Sequence, residues 1–370
     1  MVDDLERIWR AQVACERRLS GIPLVTPRQR IANLEASGFD LDARPDFYGD
    51  GPVRRLEERV AELLGKQDAA FFPSGTMAQQ VALRIWAARS GNPAVAMHPM
   101  QHPAVYERDA FTALSGLRPV WLTREPRQPR AEDVTRLDER FGALMLELPL
   151  RDAGYLLPTF DELTAMVAAA RARDAYVHFD GARLWESAAH LGQDLPTIAA
   201  LADSVYVSFY KTLQGLSGAA LLGSREFIAE ARAWKHRYGG NAFQQWPAVT
   251  AAMQGLDTIL PRLGAYVAHA REVASVLGRL PGARINPDPP HTHQFQLWLP
   301  NAARALNEAA LTLAERDRVW FAFGWNDRSP TGLAMAEITV AEPALALSPA
   351  EIAKIADDFL KIVGSPIVTS

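Results

Sequence analysis

The sequence predicts an α/β fold: a large domain with a mostly parallel, mixed sheet covered by helices, followed by a small C-terminal α+β domain. Three observations carry that prediction. Short apolar runs bounded by Gly, Pro or charge alternate with helical patterns through the first two thirds of the chain. The runs are apolar rather than alternating, as in strands buried on both faces. From about residue 256 the character changes to long helices interleaved with a few alternating segments. The expected division is 1–47 as an N-terminal helix and arm, 48–255 as the large domain and 256–370 as the small one.

In chain order, apolar spacing at Leu5, Ile8, Trp9 and Val13 predicts a helix over 3–19. "GFDLDARPDFYGDGP" (38–52) is turn-rich and predicts a loop. "VRRLEERVAELLG" (53–65) is an amphipathic helix stopped by Gly65. "DAAFFPSGT" leads into the helix "MAQQVALRIWAARSG", and "PAVAMH", "RPVWLT" and "ALMLELPL" follow as apolar runs. The helix "FDELTAMVAAARARD" precedes "AYVHFDGAR", "SVYVSFYK" and "GAALLG". Beyond 256 come the helix "LPRLGAYVAHAREVASVLGRL", the alternating "HTHQFQLWLP" and a helix at 302–317. "RVWFAFGW" and "LAMAEITVA" read as strands, and 349–363 as a closing helix.

A chain of 370 residues has room for a large core. A net charge of −4 gives no reason to expect nucleic acid or an anionic membrane as partner. The start is charged throughout and does not read as a signal peptide, and no apolar stretch approaches the ~20 residues that span a bilayer. The single cysteine, Cys15, excludes an intrachain disulfide and any multi-cysteine metal site. A cytoplasmic protein is expected.

In an open α/β sheet, ligands gather beyond the carboxyl ends of the strands, and three such ends carry informative residues. At the first, Ser74, Gly75 and Thr76 open a helix, where free N–H groups, hydroxyls and the helix dipole make an anion site. Simple capping by Ser or Thr explains those residues equally well. At the second, Asp180 ends a strand ahead of Gly181, so its carboxylate points into the crevice; Arg183 follows on the turn. His178 shares the strand face with Asp180, but no further metal ligand has recognisable spacing. Arg183 reads equally as a surface charge.

The third is Lys211, at the end of the run Val205–Tyr210 and three residues after Ser208. Lysine is scarce here, five of 39 basic residues. Desolvation lets such a lysine lose its proton and condense with an aldehyde as a Schiff base, although a snorkelling edge-strand lysine would look the same. In combination, a phosphate cradle, a carboxylate for a pyridinium nitrogen and an imine-forming lysine specify pyridoxal 5'-phosphate. The competing signatures GxGxxG after a strand, GxxxxGK[ST], GxSxG and HExxH are absent.

At these residues the sequence resembles the threonine aldolase/β-eliminating lyase family of fold-type-I pyridoxal-phosphate enzymes. "YGDGPVRRLEERVAELLGK", "AAFFPSGTMAQQVAL", "VHFDGARLWESAAHLG", "DSVYVSFYKTLQGLSGAALLGSREFIAEAR" and "WKHRYGG" carry the resemblance, in family order over 48–240. The resemblance implies that Lys211 carries the cofactor, Asp180 partners the pyridine nitrogen, and Arg183 lies beside the phenolic oxygen. It implies that Ser74, Gly75 and Thr76 form the phosphate loop, that His102 stacks on the ring, and that Glu107 is an acidic position of the same segment. Ser208 falls where the wider superfamily often places a phosphate-binding hydroxyl. A homodimer or homotetramer with a shared site is also implied.

The substrate half departs from the pattern. Tyr210 replaces the serine usual before the lysine, "ELPLRDAG" keeps Glu147 but lacks a histidine, and Phe243 stands where an arginine is expected. Glu337 falls near the position of the arginine for the substrate α-carboxylate, with Arg328 as a nearby substitute. The expected activity is retro-aldol cleavage of a β-hydroxy-α-amino acid to glycine and an aldehyde, with His102 or a bound water as base. Two alternatives remain open: β-elimination or transamination with the same cofactor, and a binding role with little catalysis. No metal is expected.

Overall fold

Seven strands of the computed structural model, which describes residues 2–327 and 332–364, make one sheet inside the unit Ala32–Pro261. In chain order the strands of the whole protein are β1 (Arg17–Arg18), β2 (Asp68–Phe72), β3 (Ala94–Met97), β4 (Arg118–Trp121), β5 (Ala143–Glu147) and β6 (Tyr176–Gly181). They continue as β7 (Ser204–Ser208), β8 (Ala219–Gly223), β9 (Arg284–Asn286), β10 (Gln294–Leu299), β11 (Val319–Trp320) and β12 (Ala334–Thr339). The large sheet runs β2-β8-β7-β6-β5-β3-β4. Only β8 is antiparallel to its neighbours, so β2, β7, β6, β5 and β3 all end at the same edge.

That shared edge follows from sequence. β5, β6 and β7 are buried almost throughout, and apolar runs of this kind form parallel strands connected by covering helices. Helix Gly75–Ser90 lies against the sheet and buries Val81, Ala82, Ile85 and Trp86 with Phe72, Met145, Tyr206 and Leu221. The Trp86 ring stacks on Phe227 at 4.5 Å and on Tyr176 at 4.4 Å. Its indole N–H donates to Ser204 Oγ at 2.7 Å, so the polar edge of this large side chain is satisfied inside the core.

The second unit joins Met1–Ile31 to Arg262–Ser370. Its antiparallel sheet β12-β10-β9 packs on a core that includes Leu19, Phe295, Leu306, Phe321, Ile352 and Phe359. The closing helix forms over Pro349–Val363, with a reciprocal Ser348–Glu351 capping box. The first helix is shorter than its periodicity predicts and stops at Ala14. Arg17 and Arg18 form β1 instead, pairing with Val319 and Trp320 of β11, because β11 offers those backbone groups a ladder. "RVWFAFGW" yields only those two strand residues. Pro261 falls in a 3-10 turn, and the regular helix begins at Leu263. Among the described residues, no helix is long and apolar enough to cross a membrane.

Candidate active site

The common carboxyl edge of β3, β5, β6 and β7 opens on a small cleft. His102, Asp180, Arg183 and Lys211 line it together, as the sequence predicts, and Glu147, Arg151, Asp152 and Tyr106 join them. His102 and Tyr106 follow β3, Glu147, Arg151 and Asp152 come from the end of β5, Asp180 and Arg183 from the end of β6, and Lys211 from beyond β7. Lys211 lies three residues past β7, in the turn before β8, rather than at the strand end itself. Phe209 N–H donates to Gly218 O at 3.1 Å and Gly215 N–H to Phe209 O at 2.8 Å, which closes that turn.

Asp180, next to last in β6, lies beside its register partner Glu147 at the end of β5. Asp180 accepts a 3.0 Å hydrogen bond from Ala182 N–H. Glu147 accepts from His102 N–H at 2.8 Å and from Arg151 N–H at 3.2 Å, so it fastens two cleft loops at once. Burial pushes the Glu147 carboxyl up to about 7, with the Asp180 charge as the second cause. Burial also raises Asp180, against the opposing pull of Lys211. Lys211 is lowered, first by burial and next by Arg183, while Asp180 and Glu147 hold it up. The cleft therefore favours a neutral amine more than water does.

His102 opens a short helix with its ring tilted against Tyr106 at 5.3 Å. Its Nδ1 lies 3.2 Å from Glu107 Oε1. Glu107 is buried behind the histidine, outside the cleft lining, and accepts from Gln80 Nε2 at 2.8 Å. Ser115 Oγ in turn donates to Gln80 Oε1 at 2.8 Å, so a chain of fixed partners sets the imidazole. Sequence reading had no signal for Gln80 or Ser115, which are ordinary polar residues in a helix and a loop.

Ser74 caps helix Gly75–Ser90 by accepting from Met77 N–H at 3.3 Å. Gly75 packs directly on the Tyr206 ring: a Cβ there would stand 2.7 Å from Cζ and closer still to the hydroxyl. The N–H groups of Gly75 and Thr76 begin the helix and have no intrahelical acceptor. Ser208 is fully buried and donates to Ala182 O at 2.7 Å, so its hydroxyl braces the Asp180–Arg183 turn. His178 is fully buried between Ser204 Oγ (2.7 Å) and Gln79 Oε1 (2.6 Å). No described group of three or more His, Cys, Asp or Glu is arranged to hold a metal. Phe243 is half exposed and packs on Phe47 and Tyr48. Glu337 lies on β12, opposite Gln296. Arg328 falls outside the described residues.

This donor set fits pyridoxal phosphate: a buried carboxyl group, a lysine whose charged form burial disfavours, an arginine acting on it and a close-packed helix start. The chain belongs to the beta-eliminating lyase family, whose sequence profile matches residues 39–298; the family's cofactor is pyridoxal 5'-phosphate. It is 26% identical to the low-specificity L-threonine aldolase 1 of Arabidopsis thaliana, over 77% of this chain and 81% of that one. It is 33% identical to the aldolase vrtJ of Penicillium aethiopicum, over 60% and 58% of the two chains. A crystal structure from Listeria monocytogenes, provisionally assigned as an L-allo-threonine aldolase, superimposes with a TM-score of 0.89. It is 29% identical, over 96% of this chain and 99% of that one.

Proposed function

We propose that this protein is a pyridoxal-phosphate-dependent carbon–carbon lyase that cleaves a β-hydroxy-α-amino acid to glycine and an aldehyde. The convergence of Lys211, Asp180, Arg183 and His102 on one cleft carries the proposal. When bound, the cofactor supplies an electron sink for a bond broken at the substrate α-carbon. Lys211 Nζ is the amine that would hold the cofactor through its aldehyde carbon. Asp180 would hold the pyridine nitrogen in its protonated form, and Arg183 would pair with the phenolic oxygen. Ser74, Gly75 and Thr76 bind the phosphate at the positive end of their helix, with Ser208 acting through the turn it braces. The imidazole of His102, oriented by Glu107, would cover the ring and could take the β-hydroxyl proton.

The proposal extends to a homodimer or homotetramer with shared sites, located in the cytoplasm, which sedimentation and cell fractionation test. The deciding experiment mixes purified protein with pyridoxal phosphate, reduces it with borohydride and maps the added mass. The adduct is expected on Lys211 and absent from K211A. A panel of β-hydroxy amino acids should then yield glycine and aldehyde in equal amounts. Pyruvate and ammonia without glycine would transfer the reading to β-elimination, and conversion of the cofactor to its amine form would transfer it to transamination.

A further inference from the structure

Any α-amino acid substrate brings its own carboxylate into a cleft already lined by three carboxyl groups, Glu147, Asp152 and Asp180. A further negative charge is unfavourable in a partly desolvated site that already holds acidic groups. A cation must therefore meet the incoming carboxylate. Four basic side chains line the cleft: His102, Arg151, Arg183 and Lys211. The proposed reaction uses the amine of Lys211, the ring of His102 and the charge of Arg183, whose field falls on Lys211. Arg151 is the basic group whose place in the lining none of those roles explains.

Its setting suits a carboxylate ligand. The backbone N–H of Arg151 donates to Glu147 Oε1, which ties the residue to the end of β5 next to Asp180. The guanidinium lies 5.6 Å from the centre of the Tyr106 ring and its Nε 3.5 Å from the Tyr155 hydroxyl. Asp152 stands 3.8 Å away, at the outer limit of an ion pair, while both its oxygens accept from the Tyr106 hydroxyl at 2.9 Å. The charge of Arg151 also acts on Lys211, the point at which the substrate amine arrives. An arginine on an aromatic shelf, with a planar fork of donors, matches a carboxylate better than any ammonium does.

We propose that Arg151 binds the substrate α-carboxylate. The inference rests on the amino-acid lyase reading, so its test separates the two. Glycine and glycinamide, which lacks the carboxylate, are titrated calorimetrically into protein loaded with pyridoxal phosphate. Wild type should prefer glycine. R151Q should weaken glycine about 10- to 100-fold, the range of a charge-assisted pair, and change glycinamide less than threefold. R151K, which keeps the charge without the fork, should fall between them.

Equal weakening of both ligands in R151Q, or unchanged glycine affinity, overturns the role of Arg151. Wild type that binds neither ligand overturns the lyase reading and this inference with it. If R151Q fails to fold, R151K decides: selective loss of glycine supports the role, and equal loss or no loss overturns it.

Discussion

Thr212 Oγ1 donates a 2.7 Å hydrogen bond to Glu186 Oε2, joining the residue after Lys211 to the turn that follows Arg183. Both partners are buried, and burial pushes the Glu186 carboxyl from an ordinary 4.5 up to about 7. Such a raised acid stabilises the fold fully below 4.5 and loses that contribution as pH rises through 7. The difference is on the order of 3 kcal/mol. In cofactor-free protein, E186Q should therefore remove part of the stability loss between pH 5 and 8, read by urea denaturation. Losing a negative charge near Lys211 should also move the midpoint of cofactor loading to lower pH. Unchanged slopes and an unchanged midpoint would show that Glu186 only fills space.

Gly75 is fixed by what lies behind it. A Cβ at this position enters the Tyr206 ring, which is itself buried in the core beneath helix Gly75–Ser90. Overpacking of this kind costs about 1–3 kcal/mol, and here it displaces the N–H groups proposed to hold phosphate. G75A should lower Tm and weaken pyridoxal phosphate at least tenfold, measured by equilibrium dialysis. Y206F removes the hydroxyl but leaves Cζ in place, so G75A/Y206F should recover only part of the stability. Wild-type cofactor affinity in G75A would remove this helix start from the phosphate site.

His178 shapes the acid side of the stability curve. Full burial lowers its imidazole from 6.5 to about 3, and its neutral form fits the Ser204 and Gln79 partners. The unfolded chain takes up a proton below 6.5 that the folded one refuses, so this contribution is present above 6.5 and fades as pH falls toward 3. Glu147 and Glu186 act in the opposite direction, losing stability as pH rises toward 7. Between 4.5 and 6.5 the two acids outweigh the one imidazole, so on these groups cofactor-free protein should be most stable at about pH 4.5 and lose stability as pH rises from there. H178Q should flatten the acid limb of a denaturation series run from about pH 3.5 to 8, while lowering stability at the optimum.

The alternation of apolar runs and helices made the α/β sheet legible in the sequence, because strands buried on both faces leave an uninterrupted apolar signature. Lys211, Asp180 and Arg183 were legible as well, since they lie at or just beyond strand ends and the parallel order brings those ends to one edge; His102 was reached only through the family resemblance, being otherwise an ordinary loop histidine. Glu186 and Thr212 were not legible. Their link depends on how the turn after β6 meets the turn after β7, and nothing local records that. The pairing of Arg17–Arg18 with Val319–Trp320 was hidden for the same reason: it joins segments about 300 residues apart through backbone atoms alone. Arg151 and Asp152 look like surface charges in "LPLRDAG" until Glu147 anchors the loop over the cleft.

Asp180 and Glu147 stand side by side at the ends of adjacent strands, so the cofactor role proposed for Asp180 would be set against stability. Each carboxyl is buried, and the charge of Asp180 is the second cause, after burial, that raises Glu147. Two such charges on neighbouring parallel strands repel by on the order of 2 kcal/mol at an effective protein dielectric. In D180N the amide oxygen can still accept from Ala182 N–H, while the negative charge is gone. Glu147 should then ionise nearer its ordinary range, so less stability is lost as pH rises toward 7. Cofactor-free D180N should be about 1–2 kcal/mol more stable than wild type at pH 8 and nearly equal to it at pH 4.5, by urea denaturation. The same variant should bind pyridoxal phosphate more weakly and lose most lyase activity, because no carboxylate remains to hold the ring-nitrogen proton. A stability difference independent of pH would show that the two carboxyls do not share their charge, and full activity in D180N would remove Asp180 from the cofactor site.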